Sequence, residues 1–129
     1  MKGKNIIQLG ASFGMLAVGL GAFGAHAFKD ILEETGRLDT YETAVAYHFY
    51  HSLGLLLTGI LFLVKPHWKK LKYAAIAMAL GIVIFSGSLY ILSLTGLTWL
   101  GAITPFGGVA FTIGWVSLFL ASSKKNPKY

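Results

Sequence analysis

Cysteine is absent from the 129 residues. The chain therefore has no disulfide framework, no thiolate nucleophile and no cysteine-ligated metal centre, and its redox compartment is left open. Charge is scarce too. Only 12% of residues are charged, about half the share of an ordinary soluble domain, while 55% are hydrophobic. What remains are uncharged runs over 5–28 and 43–64, then 51 residues from Tyr73 to Ser123. A membrane-crossing helix takes roughly 20 such residues, so the last run is long enough to cross twice. No length is left for a separate soluble domain, which excludes catalysis in water by a folded ectodomain. The composition predicts an all-α membrane protein, with four transmembrane helices in an antiparallel up-down bundle. It is a single domain over 1–129 with spans at about 5–28, 43–64, 73–94 and 104–123.

The net charge of +6 does not point to nucleic acid, because the basic residues sit at the ends of hydrophobic spans and not among aromatics on an exposed face. Their distribution sets an orientation instead. Lys2 and Lys4, then Lys65, Lys69, Lys70 and Lys72, then Lys124, Lys125 and Lys128 put nine of the eleven basic residues on one side. The other side holds Lys29 and Arg37 with all five acidic residues, Asp30, Glu33, Glu34, Asp39 and Glu42. Positive segments stay in the cytoplasm, so a multi-pass protein of the plasma (inner) membrane with both termini cytoplasmic is expected.

Lys2 and Lys4 ahead of an apolar stretch that ends in Ala25-His26-Ala27 imitate a secretory signal, but the run is longer than a signal's apolar core, and a retained span is expected. Lys65-Pro66 stops the second span. Thr95-Gly96 and Gly101 provide the turn within the long run, and Thr104 as N-cap with Pro105 as first helical residue predicts the start of the fourth span. Between the first two spans, Ile31, Leu32, Thr35 and Leu38 recur at helical spacing. That pattern predicts a short helix on the membrane surface over 29–38, with a flexible acidic loop as the alternative.

Lipid offers helices little hydrophobic drive to associate, so small residues that admit close approach mark the packing faces. Gly10, Gly14, Ala17, Gly21 and Gly24 make one such stripe on the first span; Gly107, Ala110, Gly114, Ser117 and Ala121 make another on the fourth. Packing within one bundle is the leading reading. A homo-oligomer or a membrane-protein partner is the alternative use of either stripe.

Helical geometry sets His48 and His51 about 60° apart on one face, shared with Tyr41, Ala44, Leu55 and Thr58. The opposite face, with Phe49, Leu53, Leu56, Ile60 and Leu63, suits lipid. Counting along the spans puts the two histidines roughly 8 and 12 Å inside the outer boundary. His26, Ser86, Ser88, Tyr90 and Thr104 reach comparable depth, with Glu42 near the rim. Polar groups in a bilayer are costly and hence candidates for function. Three histidines with Glu42 could ligate a metal or hold a haem or quinone. The plainer reading is an internal hydrogen-bond network, since no His-Glu-x-x-His or Glu-x-x-His pattern occurs. Tyr50, Trp68, Tyr73, Tyr90 and Trp99, near the boundaries, read as interfacial anchors. The glycines of Gly19-Leu20-Gly21-Ala22-Phe23-Gly24 match a dinucleotide fingerprint in letters only, with no strand before them.

Four ordered motifs stand together: Gly21-Ala22-Phe23-Gly24-Ala25-His26-Ala27; Tyr41-Glu42-Thr43-Ala44 leading to Tyr47-His48 and His51-Ser52-Leu53; Phe85-Ser86-Gly87-Ser88-Leu89-Tyr90; and Thr104-Pro105-Phe106-Gly107-Gly108. In these the chain resembles, over almost its whole length, the small bacterial membrane-protein family known as domain of unknown function 423, related to the animal transmembrane protein 256. The resemblance implies a four-span integral protein of the plasma membrane and brings no reaction, substrate or catalytic residue.

The function expected is therefore non-enzymatic: membrane-structural, lipid-interacting or partner-interacting, with no cofactor. The alternative is a binding protein for a lipid headgroup, quinone, metal or haem through His26, His48 and His51. An oligomeric channel or transporter ranks third, because one such chain has too few polar residues for a continuous path.

Overall fold

The computed structural model describes residues 1–123. Lys124, Lys125 and Lys128 of the charge count lie outside the described residues. Helix α1 (Gly3–Ala25) is the first span. It is followed by the short α2 (Lys29–Thr35), whose Leu32 is fully buried and so fixes the segment against the spans. Gly36 ends α2 in the left-handed region at φ 68°, where a side chain would be strained. The Arg37 amide then reaches back to the Leu32 carbonyl at 2.9 Å, closing the helix in the way glycine permits.

Helix α3 (Leu38–Val64) is the second span. It starts ahead of the uncharged run, with Asp39 in its first turn, where the positive end of the helix dipole favours a carboxylate. The stop falls at Lys65-Pro66, as proline demands. The third span comprises α4 (Leu71–Gly81), a π-helical turn over Ile82–Ser86, and α5 (Gly87–Thr95), closed by left-handed Gly96. A 3-10 helix at Thr98–Ala102 leads into α6 (Thr104–Ser122), the body of the fourth span. Among the described residues there is no strand.

Thr104 does not serve as the N-cap. Ile103 holds that position without a side-chain bond, and Thr104 and Pro105 are the first residues inside α6. The Thr104 hydroxyl is engaged elsewhere, 2.6 Å from Ser88 Oγ on the third span. A partner across the interface has taken the hydroxyl that a cap would have used.

The spans pack in sequence order. α1 lies along α3, the third span lies between α3 and α6, and α1 and α6 hardly approach each other. The second and third spans are thus central, and the first and fourth flank them with broad apolar faces open to lipid. The small residues occupy the close contacts. A Cβ on Gly10 would sit 2.9 Å from the Leu56 amide nitrogen, one on Gly24 would enter the Tyr41 ring, and one on Gly107 would enter the Phe85 backbone. Gly21 faces Val45, Gly114 faces Met78, and Ala17 is buried, whereas Gly14 and Ala110 are less tightly held. Both stripes are therefore turned inward within one chain. Ile6, Leu55, Ala75, Met78, Ile82 and Phe111 join into the apolar core below the polar residues.

Candidate functional site

One face of α3 carries the polar centre. Tyr41, Ala44, His48, His51, Leu55 and Thr58 are all buried, while Phe49, Leu53, Ile60 and Leu63 on the other side are exposed, the separation that a 3.6-residue period imposes.

His51 is sealed on every side. Its Nδ1 lies 2.7 Å from the Tyr47 carbonyl, which can only accept, so Nδ1 carries the proton. Its Nε2 is then a lone pair, and it accepts the indole N–H of Trp115 at 3.0 Å. Phe111 stacks on the imidazole with centroids 3.5 Å apart and planes 11° from parallel. A metal at this histidine would have to displace Trp115.

His48, one turn towards the acidic end, pairs through Nδ1 with the Tyr90 hydroxyl at 2.9 Å. Tyr90 meets Tyr41 edge-on at 5.3 Å, and the Tyr41 hydroxyl donates to the Leu20 carbonyl, so this chain of groups links the first three spans. The other ring nitrogen, Nε2, is enclosed and has no hydrogen-bond partner among the described residues, and the Phe13 ring meets the imidazole edge-on with centroids 5.8 Å apart. Nearby, Ser86 Oγ donates to the Ala44 carbonyl at 2.8 Å. Ser86 ends the π-turn. Such turns hold one residue more than an α-turn and often stand at functional positions.

The residues singled out by sequence thus divide into three bridges and two outliers. His48, Tyr90 and Ser86 join the second and third spans; Ser88 and Thr104 join the third and fourth; His51 joins the second and fourth. His26 is exposed at the C-terminal end of α1, where the helix stops at Ala25 and the backbone turns away. Glu42 is exposed on α3. It lines a half-open groove of about 230 Å³ together with Gly21, Gly24, Tyr41 and Val45, and neither His48 nor His51 borders that groove. His26, His48 and His51 consequently do not converge, and among the described residues no three His, Asp or Glu side chains form a metal-binding group.

No sequence pattern singles out Trp115 and Phe111 as the partners of His51. The signal available for Trp115 was its position in the middle of a span, while Trp68 and Trp99 stand at span ends where tryptophan is usual.

A family model described as protein of unknown function (DUF423) matches residues 20–108, a stretch that includes every polar site residue named above except Trp115. The UPF0382 membrane protein YwdK of Bacillus subtilis (strain 168) is 47% identical over 121 residues, covering 94% of this chain and 98% of that protein. A UPF0382 membrane protein of Staphylococcus epidermidis is 46% identical over 124 residues, covering 94% and 97%. The UPF0382 membrane protein SH2409 of Staphylococcus haemolyticus is 43% identical with the same coverage. No solved structure matches the chain.

Proposed function

The chain belongs to the DUF423 family of membrane proteins, and from that premise we propose a non-enzymatic, multi-pass protein of the plasma membrane that acts through lipid and partner contacts at its surface. Both termini are cytoplasmic in this reading, which the crowding of lysines at one end of the spans supports.

The observation that carries it is the use of the interior polar groups. Both nitrogens of His51, one nitrogen of His48 and the hydroxyls of Tyr41, Ser86, Ser88 and Thr104 are occupied by bonds between or within spans. Interior polarity spent in this way holds helices together where lipid provides little drive. The Nε2 atom of His48 favours a second reading, a small ligand held at that ring, and distinguishes one residue for it.

Native mass spectrometry of the protein released from mild detergent, with a visible spectrum of the same sample, tests both. A colourless species at apoprotein mass with exchangeable lipid supports the first reading. A stoichiometric added mass that His48→Ala abolishes overturns it in favour of the second.

A further inference from the structure

The turn between the second and third spans gathers Lys65, Lys69, Lys70 and Lys72 within eight residues, together with His67 and Trp68. Among the described residues no acidic side chain pairs with these lysines. All five Asp and Glu side chains lie between positions 30 and 42, in the first turns of α3 or ahead of them and so at the opposite end of that helix, and the ion pair found among the described residues, Lys29 with Glu33 at 4.0 Å, is also there. The first turn of α4 has no acidic residue, so the positive end of its dipole adds to the lysines and does not offset them.

The turn is also shaped. Two open pockets flank Lys69. One, of about 210 Å³, has Lys69 and Lys72 over a floor of Phe62, Pro66 and Tyr73. The other, of about 230 Å³, has Lys69, Lys70 and His67 beside Trp68 and Ala121. Trp68 Nε1 is enclosed with no acceptor among the described residues. Below the turn, exposed Leu63, Val64, Leu80 and Val83 on the second and third spans offer an apolar surface along which acyl chains can run.

Basic pockets between transmembrane helices suit anionic lipid headgroups, and two pockets sharing one lysine suit a headgroup with two phosphates. We propose that this turn binds a doubly anionic phospholipid of the cardiolipin type, one phosphodiester in each pocket with Lys69 between them. The proposal deepens the lipid-contact reading above and rests on it.

The full chain in mild detergent is titrated with cardiolipin, phosphatidylglycerol and phosphatidylcholine, with bound lipid read by native mass spectrometry and Tm followed in parallel. A single cardiolipin should be retained, raise Tm, and bind about tenfold or more tightly than phosphatidylglycerol. The triple variant K69Q/K70Q/K72Q should lose that preference, K69R/K70R/K72R should keep it, and Lys29→Gln at the opposite end should leave it unchanged. Lys69→Gln alone should weaken it, so the shared position is tested even if the triple variant fails to fold. Equal affinity for cardiolipin and phosphatidylglycerol overturns the proposal, as does a preference that Lys69→Gln leaves undiminished. Retention of lipid with no dependence on headgroup charge or lysines overturns this site and leaves the broader lipid reading standing; no retained lipid and no lipid effect on Tm overturns both.

Discussion

The indole N–H of Trp115 donates to His51 Nε2 at 3.0 Å, joining the second span to the fourth across helices whose backbones scarcely approach. Large side chains do the bridging there. Phe111 stacks on the same imidazole, and Trp115 also lies over Gly54, where a side chain on α3 would meet it. The pair explains how a flanking helix is tied to one it does not pack against closely.

Removing that donor should cost stability without abolishing the fold. Trp115→Phe keeps an aromatic ring and leaves His51 Nε2 unpaired, for an expected loss of about 1 kcal/mol, the scale of a hydrogen bond between membrane helices. His51→Ala should cost more, since it also removes the ring beneath Phe111. A double-mutant cycle on reversible unfolding in mixed micelles should give a coupling of about 0.6–1.7 kcal/mol between the two. Strictly additive losses would show that the bond contributes nothing.

The glycine stripes give a sharper contrast. Gly107→Ala places a methyl in the Phe85 backbone, which cannot yield as a side chain tip could, so the third and fourth spans must separate. A loss of about 1–3 kcal/mol or more is expected. Gly19→Ala on α1 meets nothing within 4 Å and should leave Tm unchanged or raised, because alanine is the better helix former. Thermal unfolding followed by circular dichroism separates the two. Equal effects would mean that close approach at Gly107 does not matter.

These contrasts also mark how far the sequence could be read. Charge interruptions locate the spans because lysine and proline at 65 and 66 cannot continue an apolar helix, and a fixed period of 3.6 puts His48, His51, Leu55 and Thr58 on one buried face of α3. Periodicity gives a face but never the neighbour that covers it. Nothing local to His51 announces Trp115, which lies 64 positions away. His26 and Glu42 illustrate a related gap: counting residues puts both near the outer ends of their spans, but His26 falls just past the end of α1, where the backbone leaves the helix, and Glu42 points to an exposed side of α3. The π-turn is less legible still, for Ile-Val-Ile-Phe-Ser has no composition that distinguishes it from an ordinary buried helix.

That π-turn makes its own prediction. A π-turn is one residue longer than the α-turn it replaces, so deleting a residue within it restores a regular helix and keeps the flanking segments in register. Deleting the exposed Val83 should therefore give a protein that inserts and folds. Deleting Ala77 from the regular α4 should rotate everything beyond it by about 100° and destroy the packing of Met78, Ile82 and Tyr90. Membrane-fraction yield and Tm of the two deletions provide the comparison. Equal damage from both would show that the turn is required for folding in its own right.

Orientation can be read directly because the chain supplies its own blank background. With no cysteine present, Thr35→Cys at the end of α2 and His67→Cys in the lysine-rich turn each create one reactive thiol without altering the Lys, Arg, Asp or Glu count at either end. Both positions are exposed. Retention of the lysines in the cytoplasm requires Thr35→Cys to react with a membrane-impermeant maleimide on intact cells, and His67→Cys to react only after permeabilisation. The reverse pattern would overturn the orientation. Labelling of both in intact cells would mean that the chain inserts both ways, which four lysines in one short turn oppose through the cost of moving that turn across the bilayer.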